Sequence, residues 1–388
     1  MPFFSFSLLK DPYSYSNLQI QPKQKYYSKD IALWNELNNR NKNKEVAIIN
    51  YEQRQNISSV GKKLLLCLPP KFGLGDAFEY SIAINSLKES KKFDKIGIAF
   101  CSNHSFIFNK FFSFLNTYPL LISEAEINKY DTIFHISLEI EALKFQKYKR
   151  SNISLEICNY FNVKMLDYKV NNKKKVKDFK KAISIFPVST SFIRSLPFSI
   201  IEKIVEVFGN KYEIRIIVDD SIYSKHLIEK NTKNNFIFVK PKNIKSLILE
   251  ISKINFGIFI DSGPLHIAKT YNKKGVFIET SVSSKILLTN SNDILFVKNK
   301  YKSNYCNGPC GLVDIFNYEG SIGCYETNKI SFEKIKKLKN LKNLQRWNKK
   351  ENNLSFISNP VGCINKIDIN NIIKLININL IIVMAHVV

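Results

Sequence analysis

One stretch in the second half of the chain decides the fold: GIFIDSGPLHIAKTY, residues 257–271. Its opening, Gly257 to Ile260, is an apolar run that predicts a buried strand, and Pro264 to Tyr271 has helical spacing with proline in the first turn. A strand that leads through a short polar loop into a helix is the repeating unit of parallel α/β sheets. The stretch therefore predicts such a sheet, with a ligand site outside the carboxyl ends of its strands.

The same rhythm runs through most of the chain. It begins near residue 62, where an apolar run at 64–68 precedes a glycine loop and a helix from Ala77 to Leu87. A lysine- and asparagine-rich stretch at 164–181 predicts an interdomain linker, after which the rhythm restarts. We predict four regions: an N-terminal accessory arm (1–60), a first Rossmann-like domain (61–170), a second Rossmann-like domain (171–300), and a cysteine-bearing tail (301–388). The tail ends in a helix from Asp368, which we expect to pack on the first domain.

Composition narrows the classes of function. The chain has 388 residues and a formal net charge of +25. Its length allows two domains with separate cores. The positive charge suits phosphate-rich partners, but the lysines are spread along the chain without interleaved aromatic residues, which disfavours nucleic acid. A solvated lysine-rich surface is the competing interpretation. A peripheral contact with an anionic membrane stays open, since each nearby Lys or Arg contributes about 1 kcal/mol there.

The predicted compartment is the cytoplasm, with the inner membrane face as a peripheral location. No segment has the ~20 apolar residues of a membrane span, and the N-terminus lacks the basic leader and the cleavage site of a signal peptide. The seven cysteines, an odd number, favour thiols or a local site over a disulfide framework.

The first candidate motif, Gly73-Leu74-Gly75-Asp76, follows the strand at 64–68 and opens a helix. Asp76 lies at a candidate ligand site because ligands of α/β folds bind outside such strand ends. Gly73 and Gly75 are candidate loop residues of this site. The competing interpretation is an ordinary capping aspartate, worth about 1 kcal/mol.

The second candidate motif is the box Asp261-Ser262-Gly263-Pro264-Leu265-His266. Free N–H groups at a helix start form an anion site, and Ser262 and Gly263 allow a diphosphate to approach closely. His266 faces the same side from the first turn. The alternative is plain capping, with His266 a core or surface histidine.

The third candidate motif is a hydroxyl-rich loop, residues 186–191, which contains Ser189 and is followed by Arg194. An arginine at the mouth of a parallel sheet can neutralise a leaving phosphate, with a fork geometry that lysine lacks. A surface arginine without function is the alternative.

Taken in order, these motifs resemble glycosyltransferase family nine, the ADP-heptose lipopolysaccharide heptosyltransferases. The matching stretches are Gly75-Asp76, Tyr130-Asp131, Arg194-Ser195-Leu196-Pro197 and the box from Asp261 to His266, and the resemblance spans about residues 62 to 370. It implies a GT-B fold, in which two Rossmann-like domains face each other across a cleft. It also implies metal-independent, inverting transfer of a sugar, heptose in the family, from an ADP-heptose-like nucleotide-diphosphate donor. The implied acceptor is a cell-surface glycan or glycolipid, as in lipopolysaccharide biosynthesis.

The resemblance also implies residue roles. Asp76 acts as general base on the acceptor, while Ser189, Arg194 and the box (Asp261, Ser262, Gly263, Pro264 and His266) hold the donor, so that no cofactor is required. Two departures stand out: the family's His-Pro-Gly is here Phe186-Pro187-Val188, and its Phe-Gly-Pro-Thr is Ile278-Glu279-Thr280-Ser281. Because a carboxylate beside a diphosphate is repulsive, we expect Glu279 to bind hydroxyl groups of the donor.

Two alternatives stay open: a protein O-glycosyltransferase, and a non-catalytic protein that binds nucleotide sugars. The tail raises a separate question through Cys306, Cys310, Cys324 and Cys363. A protein-heptosylating branch of the family is similar in having an iron site there, so structural zinc or iron is one interpretation and plain thiols are the other. Because Gly308-Pro309 predicts a turn, Cys306 and Cys310 are expected to lie close together.

Overall fold

The computed structural model describes residues 3–15, 18–28, 31–42, 46–52, 61–69, 72–100, 104–112, 114–119, 121–136, 152–167, 181–230, 236–289, 291–310, 324, 326, 360 and 362–385. The chain forms two compact units, Met1–Leu166 and Asp167–Val388. The finer predicted division, with boundaries after residues 60, 170 and 300, stays a prediction.

The first unit contains a parallel sheet, an antiparallel sheet and a hairpin. Its strands are β1 (Phe3–Leu8), β2 (Tyr13–Tyr15), β3 (Leu18–Ile20), β4 (Lys25–Ser28), β5 (Val46–Glu52), β6 (Lys63–Cys67), β7 (Lys95–Ala99), β8 (Asn116–Tyr118), β9 (Leu121–Ser123) and β10 (Thr132–His135). Its helices are α1 (Ile31–Asn41), α2 (Leu74–Glu89), α3 (Ser105–Phe111), α4 (Glu124–Ile127) and α5 (Ile153–Tyr160).

The parallel sheet of the first unit has the strand order β10-β6-β7-β8. Its central strand β6 is a continuous apolar run, and Leu64, Leu65 and Leu66 are all buried. Such a run is expected where helices cover both faces of a parallel sheet. Helix α2 follows β6 directly, as predicted, so the Gly73 to Asp76 motif lies at the carboxyl end of a central strand.

Strands β1, β4 and β5, which belong to the predicted accessory arm (1–60), form most of the antiparallel sheet, whose order is β5-β1-β4-β9. The fourth strand comes from much later in the chain, with Tyr26 opposite Ser123 and Ser28 opposite Leu121. This region is therefore part of the first unit. Its strands were not predicted, because their short segments show little alternation and their partner lies about 95 residues away.

The second unit is built on a six-stranded parallel sheet with the order β13-β12-β11-β14-β15-β16. Its strands are β11 (Ala182–Phe186), β12 (Glu213–Ile217), β13 (Ile237–Val239), β14 (Phe256–Phe259), β15 (Lys274–Ile278) and β16 (Ile294–Val297). Its helices are α6 (Phe198–Phe208), α7 (Ile222–Lys230), α8 (Ile244–Lys253), α9 (Gly263–Thr270), α10 (Ser284–Leu287) and α11 (Ile369–Ala385). Both units thus have the predicted α/β, Rossmann-like architecture.

The strand order of the second sheet reverses between β11 and β14. The chain runs outward from β11 to β13, returns to place β14 on the other side of β11, and continues to β16. Adjacent crossovers leave in opposite directions at such a switch point, which opens a crevice at the carboxyl ends of the two strands. The topology therefore predicts that a ligand of this unit binds at the ends of β11 and β14.

The position of the terminal helix α11 corrects one prediction. It was expected to pack on the first domain, but its buried residues Ile372, Ile376 and Leu380 belong to the core of the second sheet. The Asn379 side-chain amide also donates to the backbone oxygen of Gly275 in β15, over 3.1 Å. An apolar face spaced at helical intervals shows that a helix packs somewhere but does not identify the surface. Within the residues described here, no helix has the length and apolar character needed to cross a membrane.

Candidate active site

An ion pair joins the loops that follow β11 and β14. The Arg194 Nη1 atom lies 3.2 Å from Asp261 Oδ2, and both side chains are largely buried, with exposed fractions of 15% and 7%. The second guanidinium nitrogen, Nη2, donates to Thr190 Oγ1 over 2.6 Å. The Ser189 hydroxyl donates to the backbone oxygen of Asp261 over 2.9 Å. The second and third sequence motifs therefore meet at the switch point.

The loop after β11 is held in shape by its own hydroxyl groups. The backbone N–H of Ser189 donates to Ser195 Oγ over 3.1 Å, and the Ser195 hydroxyl donates to the Ser191 carbonyl over 3.1 Å. The Leu196 N–H closes the loop by donating to the Pro187 carbonyl over 2.9 Å. Because these bonds satisfy the backbone within the loop, Arg194 is presented on a fixed turn instead of a flexible connection.

Helix α9 begins directly after this ion pair. Ser262 is its N-cap residue and has extended backbone, but its side chain makes no capping hydrogen bond to the helix. The first-turn N–H groups of a helix carry partial positive charge and have no partner within the helix. His266 lies on the first turn and is buried. The helix start and the Arg194 guanidinium thus place positive charge at the end of β14 and at the end of β11.

Several buried polar atoms at this edge of the sheet have no hydrogen-bond partner in the described part of the chain. They are Arg194 Nε, Ser191 Oγ, Thr280 Oγ1 and Ser281 Oγ. Buried polar groups are nearly always paired, so a group of unpaired donors calls for an acceptor such as a ligand oxygen or a water molecule. Thr280 and Ser281 follow β15, the strand next to β14. They were not among the predicted site residues, although two hydroxyl residues after an apolar strand were a usable signal.

Glu279 lies at the end of β15 with its carboxylate buried. Its Oε1 atom accepts from the Ser284 N–H over 2.7 Å, and its Oε2 atom accepts from the Asn299 N–H over 2.9 Å. The side chain therefore ties together the loops that follow β15 and β16. The expectation that Glu279 binds hydroxyl groups of the donor stays a prediction, and it has to be reconciled with these two backbone contacts.

Asp76 stands in the first turn of α2, in the first unit. Its Oδ2 atom accepts from the backbone N–H of Gly73, the N-cap residue, over 2.7 Å. Glycine offers no side chain in return, so only the carboxylate half of a capping box is formed. Within the described residues the other oxygen, Oδ1, makes no hydrogen bond. Asp76 therefore caps the helix start through Oδ2 while its Oδ1 atom stays available to a substrate.

The described cysteines of the tail raise one another's thiol pKa values. The Cys306 and Cys310 thiols are hydrogen-bonded, which confirms the prediction that they lie close together. This hydrogen bond, burial, and the neighbouring thiols of Cys310, Cys363 and Cys324 all raise the pKa of Cys306. Burial is the main cause that raises the pKa of Cys363 to about 12. Four thiolates suit zinc or iron. Among the residues that the structure describes, however, no three His, Cys, Asp or Glu side chains are arranged to hold a metal ion.

No protein-family model matches the sequence, and no curated protein sequence matches it either. Several solved structures are similar in fold. A glycosyltransferase family 9 protein from Veillonella parvula shares 12% identity and a TM-score of 0.48, over 61% of this chain and 86% of its own. E. coli heptosyltransferase WaaC with ADP-2-deoxy-2-fluoro heptose shares 8% identity and a TM-score of 0.43, over 61% and 93%.

The iron-containing dodecameric glycosyltransferase TibC from enterotoxigenic E. coli shares 11% identity and a TM-score of 0.46, over 79% of each chain. At such identities the likeness concerns the fold, and it assigns neither ligands nor residue roles. The chain is similar in fold to these glycosyltransferases.

Proposed function

We propose that this protein is an inverting glycosyltransferase that moves a sugar from a nucleotide-diphosphate donor to a carbohydrate acceptor. The observation that carries the proposal is the position of Arg194 at the switch point of the second sheet, paired with Asp261. A guanidinium can bind two phosphate oxygens in its fork geometry. The buried Nε atom of Arg194 has no partner among the described residues, and the start of α9 adds further positive charge. These features suit a diphosphate.

The proposed reaction is a direct displacement. The acceptor oxygen attacks the anomeric carbon, the bond from that carbon to the diphosphate oxygen breaks, and one displacement inverts the configuration. Asp76 takes the proton of the acceptor hydroxyl through its Oδ1 atom, while the Gly73 N–H holds Oδ2 in place. This step requires Asp76 and Arg194 to contact the same pair of substrates. The motif resemblance implies such an arrangement, with the substrates bound in a cleft between two domains.

Negative charge builds on the leaving nucleoside diphosphate as the bond breaks. Arg194 and the N–H groups at the start of α9 stabilise that charge, a role that a divalent cation fills in other transferases. We therefore propose a mechanism that does not require a metal at the reacting centre. Zinc or iron at the tail cysteines, if bound, has a structural role in this proposal.

The motif resemblance supports a finer version of the proposal. The donor is an ADP-heptose-like nucleotide sugar, and the acceptor is a glycan or glycolipid of the cell surface, modified at the cytoplasmic face of the inner membrane during lipopolysaccharide synthesis. A protein acceptor is the alternative within the same chemistry. A protein that binds nucleotide sugars without turnover is the alternative outside it.

The test is the release of nucleoside diphosphate by the purified protein from a panel of nucleotide sugars that includes ADP-heptose, with glycan, glycolipid and peptide acceptors. Asp76→Asn tests the role of the carboxylate as a base. Its side-chain oxygen can still accept from the Gly73 N–H, whereas the basic group is lost. We expect this variant to bind donor normally and to turn over about a hundredfold to ten-thousandfold more slowly. Full activity in Asp76→Asn excludes Asp76 as the base. A wild type that binds a donor and never releases the diphosphate favours the non-catalytic binder.

A further inference from the structure

We propose that His104 is a positioning residue for Asp76 and acts through the peptide bond between Phe72 and Gly73. The catalytic meaning of this inference rests on the proposed function. The physical contact does not, because it is a property of the first unit alone.

Both sides of one peptide group are occupied. The Phe72 carbonyl oxygen lies 3.1 Å from His104 Nε2, and the N–H of the same peptide group, on Gly73, donates to Asp76 Oδ2 over 2.7 Å. A carbonyl oxygen can only accept, so Nε2 is the protonated ring nitrogen. The result is a continuous chain of two hydrogen bonds from the imidazole N–H, through one amide, to the carboxylate.

The imidazole is held where this bond requires it. His104 is the N-cap residue of α3, but its side chain makes no capping hydrogen bond, which leaves the ring free to reach the loop. The ring packs against the Phe72 ring with centroids 5.1 Å apart. Phe72 in turn meets Tyr80 of α2 edge to face, at 5.3 Å. The peptide before α2 is therefore held by side chains from α2 and α3.

Two effects on Asp76 follow from this arrangement. The hydrogen bond from His104 polarises the amide, and consecutive hydrogen bonds strengthen one another, so the Gly73 N–H becomes a better donor to the carboxylate. The same bond fixes the tilt of the peptide plane and therefore the position of the carboxylate. Displacement of a catalytic group by about 1 Å costs about a hundredfold in rate, so loss of this bond should lower kcat by about tenfold to a hundredfold.

A matched pair of variants isolates the Nε2 bond. In His104→Gln the side-chain N–H group reaches about as far as Nε2, whereas in His104→Asn it stops near the position of Nδ1. Both variants remove the ring, so the lost contact with Phe72 is common to them. Asparagine is also a favoured N-cap residue, so we do not expect His104→Asn to destabilise the start of α3.

The direct readout is a nuclear magnetic resonance spectrum that detects only Phe–Gly peptide groups. The sequence contains three, at 72–73, 208–209 and 256–257. Protein labelled with carbonyl-¹³C phenylalanine and ¹⁵N glycine gives one cross-peak for each, and Phe72→Tyr assigns the first by removing it. We expect the 72–73 peak to shift in His104→Asn and to return toward its wild-type position in His104→Gln. The other two peaks report that the second unit stays folded.

The kinetic readout uses the donor and acceptor identified in the turnover assay. We expect His104→Asn to lower kcat with little change in the donor KM, and His104→Gln to recover most of the loss. An unchanged 72–73 peak in His104→Asn overturns the inference, as does an equal loss of kcat in both variants. If the spectra behave as expected but the wild type turns over no donor, the contact is confirmed and the proposed function fails.

Discussion

Removal of the Arg194 side chain tests two roles of this residue at the switch point: stability of the folded unit and binding of the donor. The charges of Arg194 and Asp261 are 3.2 Å apart and largely buried, and at an effective dielectric constant of about 20 their attraction is about 5 kcal/mol. Arg194→Ala leaves the Asp261 carboxylate buried without its guanidinium. Since breaking a buried pair by deleting one partner costs about 3 to 5 kcal/mol, we expect a loss of that size in the free energy of unfolding, measured with urea.

The effect on ligand binding has a different origin. If Arg194 contacts the diphosphate, Arg194→Ala removes a charge-assisted hydrogen bond worth about 1.5 to 3 kcal/mol, which weakens binding by about tenfold to a hundredfold. The double variant Arg194→Ala/Asp261→Asn removes both charges, so we expect it to recover much of the lost stability. It should still bind nucleoside diphosphates weakly in calorimetric titrations. Wild-type affinity in the stable double variant would refute the role of Arg194 in donor binding and leave it a structural residue.

Three further predictions concern other parts of the second unit and its tail. Glu279→Gln replaces one carboxylate oxygen by an NH₂ group, which then faces the backbone N–H of either Asn299 or Ser284. Because two donors cannot pair, we expect urea denaturation to show a loss of about 1 to 3 kcal/mol in the free energy of unfolding. Unchanged stability contradicts that reasoning. Ile376→Ala should cost about 2 to 5 kcal/mol because the side chain is fully buried, whereas Ile378→Ala, 40% exposed on the same helix, should cost far less. Similar losses in the two variants would contradict the placement of α11. Because the pKa of Cys363 is raised to about 12, the native thiol stays protonated at weakly alkaline pH. At pH about 8.5 we expect iodoacetamide to alkylate it about a thousandfold more slowly than in urea. Alkylation at the unfolded rate is the contrary result, and elemental analysis of the same sample tests for zinc and iron.

Local patterns in the chain were sufficient for the architecture of each parallel sheet. The apolar runs that became β6, β11 and β14 are buried on both faces, and each is followed by a loop and a helix. These features depend on neighbouring residues, so they can be read without knowledge of the rest of the chain. The same reading placed Asp76 at a helix start after a strand end and placed Cys306 beside Cys310.

The partners of the candidate site were decided by tertiary structure. Arg194 and Asp261 are 67 residues apart, and they meet because β11 and β14 become neighbours where the strand order reverses. The Glu279 carboxylate accepts from backbone N–H groups of two loops, and its place in a motif did not predict these contacts. Strand order and loop contacts depend on which distant surfaces pack together, and periodicity within one segment contains no information about its partner.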